Sequence, residues 1–322
     1  MKKLIEKLCI AIVAIVLFTC FTTKQVKSQT VTNRIIYDAS IKNKFPDDEN
    51  PYRNNIAEPQ KGKFLNMILD AAMTNKINIF DKAHNQIKYD DVSSNQNNDK
   101  KDIDKTKITH IRFDEKWTMN EKTYELSKEV NGFCPVIDTI NEQGVHHNQN
   151  PLFWIYPDKA SNKNASDNFI ITNKISYVVY IAPRDQTSDP LMDNIDSVQR
   201  EKFINTIMDA VLTNKLKAYD YDGKLMTKEI FDNYFTRRDT ISFQDINTDK
   251  IKDTVIVKNL DYKKIYLFKF TEEWSLNTKT FKFTKKVLTM APSVELSDNE
   301  GNFKGYVTPF IIYFDKSLIP KN

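Results

Sequence analysis

A chain of 322 residues is long enough for one to three domains, each burying a core of its own. Its formal charge of +4 lies in residues 1–28, where Lys2, Lys3, Lys7, Lys24 and Lys27 face only Glu6, so the remainder is near neutral. A near-neutral surface of mixed sign lacks the electrostatic footprint of a nucleic-acid or anionic-lipid binder.

The N-terminus reads as an export signal. Lys2, Lys3 and Lys7 precede an apolar run, Leu8 to Phe21, that is short for a bilayer span, and Val26 and Ser28 fit a small-residue cleavage pattern before Gln29. Uncleaved anchoring is the alternative. Cys20 raises a further one, lipid attachment, although Thr19 stands where that motif wants Gly, Ala or Ser. With Cys9 and Cys20 in the signal, Cys134 is alone in the mature chain, so no internal disulfide can form there.

After the signal, Arg34 to Tyr37 forms one short strand-like run, and Pro46, Pro51 and Pro59 mark a polar surface loop. Phe64, Met67, Ile68, Ala71 and Ala72 then recur at helical spacing, and Thr74-Asn75-Lys76 supplies the stop, with Asn75 suited to a left-handed cap. Ile77 to Asp81 leaves this helix as a short strand. Ser93 to Lys105 is polar and low in apolar content, as expected of a loop.

Ile111, Phe113, Glu115 and Trp117 alternate, as do Tyr124, Leu126 and Val130, which argues a β-hairpin. Pro135 is expected to end its second strand, because proline cannot donate to a central ladder. Leu152 to Tyr156 reads as a strand buried on both faces.

All of this occurs twice. Phe203 to Asp220 repeats Phe64 to Asp81, including Thr213-Asn214-Lys215, and Phe270 to Lys316 repeats Phe113 to Lys159 without a gap. Glu115 falls on Glu272, Trp117 on Trp274, Asn120 on Asn277, Pro135 on Pro292 and Tyr156 on Tyr313. Ile170-Ile171 and Ser176 to Tyr180 repeat the early strand, and the second copy carries a longer insert ending in a strand-like run around Thr254 to Val257. The fold class expected is α+β. It comprises two homologous units, 29–168 and 169–322, each a helix followed by a small antiparallel sheet (hairpin plus buried strand).

Little chemistry emerges. His84, His110, His146 and His147 have no counterparts in the second copy, and adjacent His146 and His147 point apart on an extended chain. Glu115 and Glu272 lack a second acid or base at matched spacing, so an edge-strand charge that discourages aggregation is the better reading than a catalytic carboxylate. Cys134 aligns with Ala291, which reads as a small buried position. Only six glycines occur, and no phosphate-loop pattern is among them. Trp117, Trp154 and Trp274 suit core packing better than a ligand groove. No catalytic, cofactor or metal residue is assigned. Trp117, Trp154, Tyr156 and Trp274 are the positions expected at a partner interface.

The helix running into a short aromatic strand (Phe64 to Asp81), the EKWTMNEKTYEL hairpin, the Gly132-Phe133-Cys134-Pro135 step and the Pro151 to Tyr156 block resemble, in their order and spacing, the GldN/PorN family of the Bacteroidota type IX secretion and gliding apparatus. The resemblance implies a periplasmic, non-enzymatic component without a cofactor. It further implies a ring assembled with an outer-membrane lipoprotein of the GldK/PorK type, meeting the periplasmic part of a GldM/PorM-type motor protein. An exported tandem binding module for peptide or glycan is the other reading.

Overall fold

The computed structural model describes residues 27–41, 56–94, 103–140, 146–157, 167–182, 194–244, 251–259, 264–297 and 302–321. Residues 1–26 of the signal segment, the part of the surface loop around Pro46 and Pro51 and most of Ser93 to Lys105 lie outside the described residues. Pro59, expected in that loop, instead lies in the first turn of a helix, where its missing N–H is not needed.

The first unit opens with strand β1 (Ser28–Ser40), followed by helix α1 (Glu58–Met73), the strand pair β2 (Ile79–Phe80) and β3 (Gln86–Ile87), and a short helix α2 (Tyr89–Ser94). Strands β4 (Ile108–Asn120), β5 (Leu126–Ile140) and β6 (His146–Pro151) complete an antiparallel sheet of order β1-β4-β5-β6. The second unit repeats the plan with β7 (Asn168–Tyr180), α3 (Ser197–Leu212), β8 (Ala218–Tyr219) and α4 (Lys228–Phe235). An added hairpin, β9 (Thr236–Gln244) and β10 (Ile251–Asn259), forms a sheet of its own where the longer insert was expected. The second sheet then runs β7-β11-β12-β14-β8, from β11 (Ile265–Asn277), β12 (Phe283–Ser297) and β14 (Ile311–Tyr313), with β13 (Phe303–Val307) on β12.

The class is α+β, rich in antiparallel strand. Each unit begins with a long strand rather than with its helix, and what reads as a four-residue run around Ile35 is part of a strand paired along most of β4. Register breaks between Thr30 and Thr32 and between Thr32 and Ile35 disturb its two-residue alternation, which is why the sequence shows so little of it.

Local chemistry explains the turns. In both hairpins the side chain of Asn120 or Asn277 accepts from the backbone N–H groups two and three residues on. The chain then turns through a left-handed residue, Tyr124 at φ 58° and Phe281 at φ 54°. Tyr124 therefore belongs to the turn, and the returning strand starts at Leu126. Helices α1 and α3 both run into a left-handed asparagine, Asn75 at φ 54° and Asn214 at φ 58°, as the repeated Thr-Asn-Lys predicts.

Proline does not end the returning strands. Pro135 pairs with Ile111 and Pro292 with Phe268, well inside β5 and β12. The Pro135 carbonyl accepts from Leu152 N, so its ring nitrogen faces that same side, away from β4, and the β4 ladder needs no donor from it. The Leu152–Tyr156 segment is buried as expected at Phe153, Trp154 and Ile155, yet it forms no continuous strand: beside the Leu152–Pro135 bond it is held by the isolated bridges Phe80–Trp154 and Phe133–Ile155.

The two sheets lie face to face and share one core. Phe113 of the first meets Trp274 of the second edge-on at 5.1 Å between ring centroids, and Trp117 meets Phe270 in the same way at 5.4 Å. These contacts exchange under the repeat, so the units pack like the subunits of an isologous dimer around a local two-fold axis. The helices follow: α1 touches β7 of the other unit, α3 touches β1, and Phe64 packs on Phe283.

Candidate functional site: the charge cluster on the local two-fold axis

Both inner sheet faces carry charge. The row of β4 that faces the core holds Ile111, Phe113, Glu115 and Trp117, and the row of β11 holds Phe268, Phe270, Glu272 and Trp274, all of them sealed from solvent. On the returning strands Lys128 lies opposite Trp117, between Leu126 and Val130, and Lys285 opposite Trp274, between Phe283 and Val287. A bulge follows at once in each copy: Asp114 pairs Gly132 while Glu115 pairs Val130, and Thr271 pairs Thr289 while Glu272 pairs Val287. It switches the core-facing positions of β5 from 126, 128 and 130 to 133 and 137. The lysines are thereby kept facing inward beside the apolar residues before the bulge.

The ion pairs cross between units. Lys285 Nζ lies 2.7 Å from Glu115 Oε1, and Lys128 Nζ lies 2.7 Å from Glu272 Oε1, with no side-chain exposure on either partner. The other oxygen of Glu115 accepts from Trp117 Nε1 and Tyr37 Oη, each at 2.7 Å. Glu272 Oε2 accepts from Trp274 Nε1 at 2.8 Å and from Tyr177 Oη in a short bond. Lys285 Nζ also donates to Tyr37 Oη at 3.0 Å, and Lys128 Nζ to Tyr177 Oη at 3.3 Å. Each ammonium caps an aromatic face, Lys128 over Phe270 at 3.2 Å and Lys285 over Phe113 at 3.0 Å from the ring centroids.

Burial dominates the protonation behaviour. It lowers the Lys128 ammonium pKa and lowers that of Lys285 to about 8, against the pull of both glutamates. It pushes both phenols, Tyr37 and Tyr177, well above 10, with the neighbouring glutamates adding to the rise. For Glu272, burial raises the carboxyl pKa, but Lys128 and Lys285 outweigh it and hold the group below 4.5.

Desolvating four charges costs several kcal/mol each, so such pairs add little net stability over apolar packing, although removing one partner costs much more. What the cluster determines is how the two sheets register. A shift of one sheet across the other would leave the charges buried without their partners. Glu115 and Glu272 are therefore not edge-strand charges. β4 and β11 are interior strands, and both carboxylates are sealed where no substrate reaches.

Of the expected interface residues, Trp117 and Trp274 have no exposed surface and serve this cluster. Trp154 packs with Ile36 and Cys134 on the outer face of the first sheet, and half-buried Tyr156 stacks on it at 5.8 Å. Burial raises the Cys134 thiol pKa to about 12. His84 stacks on Tyr156 at 4.8 Å and His110 is buried beside Thr109, while His146 and His147 lie in β6. Among the described residues no group of three or more His, Cys, Asp or Glu is placed to hold a metal ion, and no helix is long and apolar enough to cross a membrane.

The sequence signal of this cluster lies in the lysines. In both copies a Lys occupies the apolar-facing row of the hairpin, two residues after one large apolar side chain and two before a valine.

The family model described as gliding motility associated protein GldN matches the chain twice, over residues 23–176 and again over 173–318. The chain belongs to the GldN family. The repeat is thus a tandem duplication of the family's own unit, and the two matches correspond to the two sheets. No curated protein matches the chain. Membership makes it a component of the gliding-motility and type IX secretion apparatus, from a family that is structural rather than enzymatic.

Proposed function

We propose that the protein is a non-enzymatic periplasmic component of the type IX secretion and gliding machinery, assembling with an outer-membrane lipoprotein of the GldK/PorK type into a ring. In this reading it also meets the periplasmic part of a GldM/PorM-type motor protein. After cleavage near Ser28-Gln29 it acts at the periplasmic side of the outer membrane and reaches that membrane only through its partners.

The observation that carries the reading is the reciprocal locking of two GldN units in one chain. All the ionisable chemistry of the inner faces is spent on holding the units in register, which suits an assembly block. Of the four aromatic positions expected at the interface, Tyr156 is the one that is not fully buried, so the outer side of the first sheet is where partner contact is sought. Affinity purification from native membranes tests the proposal: the lipoprotein co-purifies at near-stoichiometric amounts in a large particle. Recovery of the bare monomer alone sinks it.

The second reading, an exported tandem module for peptide or glycan, has one observation in its favour, the open groove on the second sheet. It does not run through Trp117 or Trp274, which no ligand reaches.

A further inference from the structure

Strand β7 lies at one end of its sheet, as β1 does in the first. Ile181 N donates to Tyr266 O, and β7 runs in unbroken register with β11 from Tyr180 back to Ile175. The alternation of an antiparallel ladder then fixes which way each residue turns its backbone. Ile175, Tyr177 and Val179 give their N–H and C=O groups to β11. Val178 and Tyr180 turn theirs away from the sheet, and among the described residues no strand or other backbone group meets them there. Their side chains stand on the outer face, 40% and 37% exposed.

The first unit closes the same place. Ile41 N donates to Thr109 O, so Asp38 and Ser40 are the outward residues of β1 that correspond to Val178 and Tyr180. Arg112 holds the Asp38 carboxylate with two hydrogen bonds, at 2.8 and 2.9 Å, and Trp154 packs on the neighbouring Ile36. A charge and a covering ring on an end strand discourage a further strand from adding to it. The second unit lacks that protection. From Ile175 to Ala182 its sequence, ISYVVYIA, carries no charge, proline or glycine. An unpaired edge lined by β-branched and aromatic side chains is a template for another strand.

We propose that this edge binds a second copy of the chain, β7 against β7, antiparallel, about a two-fold axis that passes Val179. In that register Val178 falls opposite Tyr180 of the second copy, and Tyr180 opposite its Val178. The outward N–H and C=O groups of each pair then satisfy one another, and an aromatic ring covers a β-branched side chain on both sides of the axis. The segment is thus its own complement. A shift by one residue sets Val178 against Val179, whose backbone groups already serve β11. A shift by two sets Val178 against itself and Tyr180 against Ser176, which at 8% exposure leaves the ring little to cover. Charge permits the approach, because the chain after residue 28 is near neutral and the meeting strands carry none. The contact is isologous and closes at two copies, joining their second sheets into one through β11-β7-β7-β11. It rests on the edge of β7 alone, so it stands or fails independently of the lipoprotein ring.

Sedimentation velocity of the mature full-length protein over a concentration series tests this, and the parent is expected to show a monomer–dimer equilibrium. Val178→Asp and Tyr180→Lys each place a charge in the paired edge, and each is expected to weaken dimerisation at least about tenfold. Combined in one chain, the two substitutions set a carboxylate opposite an ammonium at both pairs of the proposed register. Dimerisation is then expected to return to within about threefold of the parent. Both positions are exposed, so the melting temperatures of the variants stay near that of the parent at low concentration. Hydrogen exchange on the parent needs no substitution: the Val178 and Tyr180 amides become protected as the dimer forms. A parent that stays monomeric throughout the series overturns the proposal. So does a dimer indifferent to the single substitutions, as exchange of whole units between chains would give, a folded double variant that stays monomeric, or a dimer that leaves those two amides unprotected.

Discussion

Tyr37 and Tyr177 lie ring against ring on the local two-fold axis, their centroids 5.9 Å and their hydroxyl oxygens 3.2 Å apart. Each is the same residue of its own unit, and each donates to its own unit's glutamate while that glutamate takes its ammonium from the other unit. The pair therefore ties the two ion pairs into one network, and the consequences can be measured.

Breaking one ion pair is costly and breaking both sides of it is less so. Lys285→Met leaves Glu115 buried without its cation and is expected to destabilise by about 3–5 kcal/mol, as is Glu115→Gln through stranded Lys285. The double variant should lose clearly less than the sum of the two, because both desolvated charges are removed together. Urea unfolding of the four proteins checks this, and strict additivity would show that the two groups do not interact.

The network also sets a pH profile. Tyr37 and Tyr177 are raised well above 10 by burial, so above about pH 10 the unfolded chain releases protons that the folded one keeps, and stability falls as pH rises. Lys285, lowered to about 8 from 10.5, acts in the opposite sense. Between those values the unfolded chain binds more protons, so this group makes stability rise with pH from about 8 to 10, before the tyrosines reverse it. Glu272, held below 4.5, contributes stability above that value which is lost as pH falls through the folded pKa. A phenolate absorbance titration should leave these two tyrosines silent until the protein unfolds. Ionisation of every tyrosine in the folded state near pH 10 would refute the account.

Gly132 is a contact requirement. A Cβ built there meets Tyr156 ring carbons at 2.5 Å. Gly132→Ala is expected to cost about 1–3 kcal/mol and to swing Tyr156 away from Trp154. Thr289→Gly at the equivalent site removes no such clash and should cost only the strand preference of roughly 1 kcal/mol. Tyrosine nitration mapped by mass spectrometry, with thermal melts, separates the two, and equal effects would count against the difference between the outer faces.

Neither half should fold as a monomer. Residues 27–166 alone expose Phe113 and Trp117 and leave Glu115 without Lys285. Each half nevertheless carries one glutamate and one lysine of the exchangeable set, so two like halves satisfy the same ion pairs. In the intact chain it is the covalent link that favours the internal pairing. Light scattering is expected to find dimers or aggregate for either half, and a heterodimer on mixing. A monomeric half with native near-ultraviolet dichroism would sink this.

The hairpins and the left-handed stops after α1 and α3 were legible in the sequence because each depends on neighbours within a few residues, and the duplication was legible because the two copies align almost without gaps. Apolar alternation likewise placed Phe113, Trp117, Phe270 and Trp274 in the core. The strand lengths were less legible, since bulges in β1, β5 and β12 break the alternation that would reveal them. Alternation could show that Glu115 and Lys128 face inward but not what they face, and an unpartnered carboxylate on a strand reads most naturally as an edge charge. Only the tertiary structure decided that, by bringing Lys285 and Lys128 across a separation of more than a hundred residues onto the glutamates of the opposite unit. The physical reason is that a charge in a strand has no meaning until its dielectric and its counter-ion are known, and here both are supplied by the other copy.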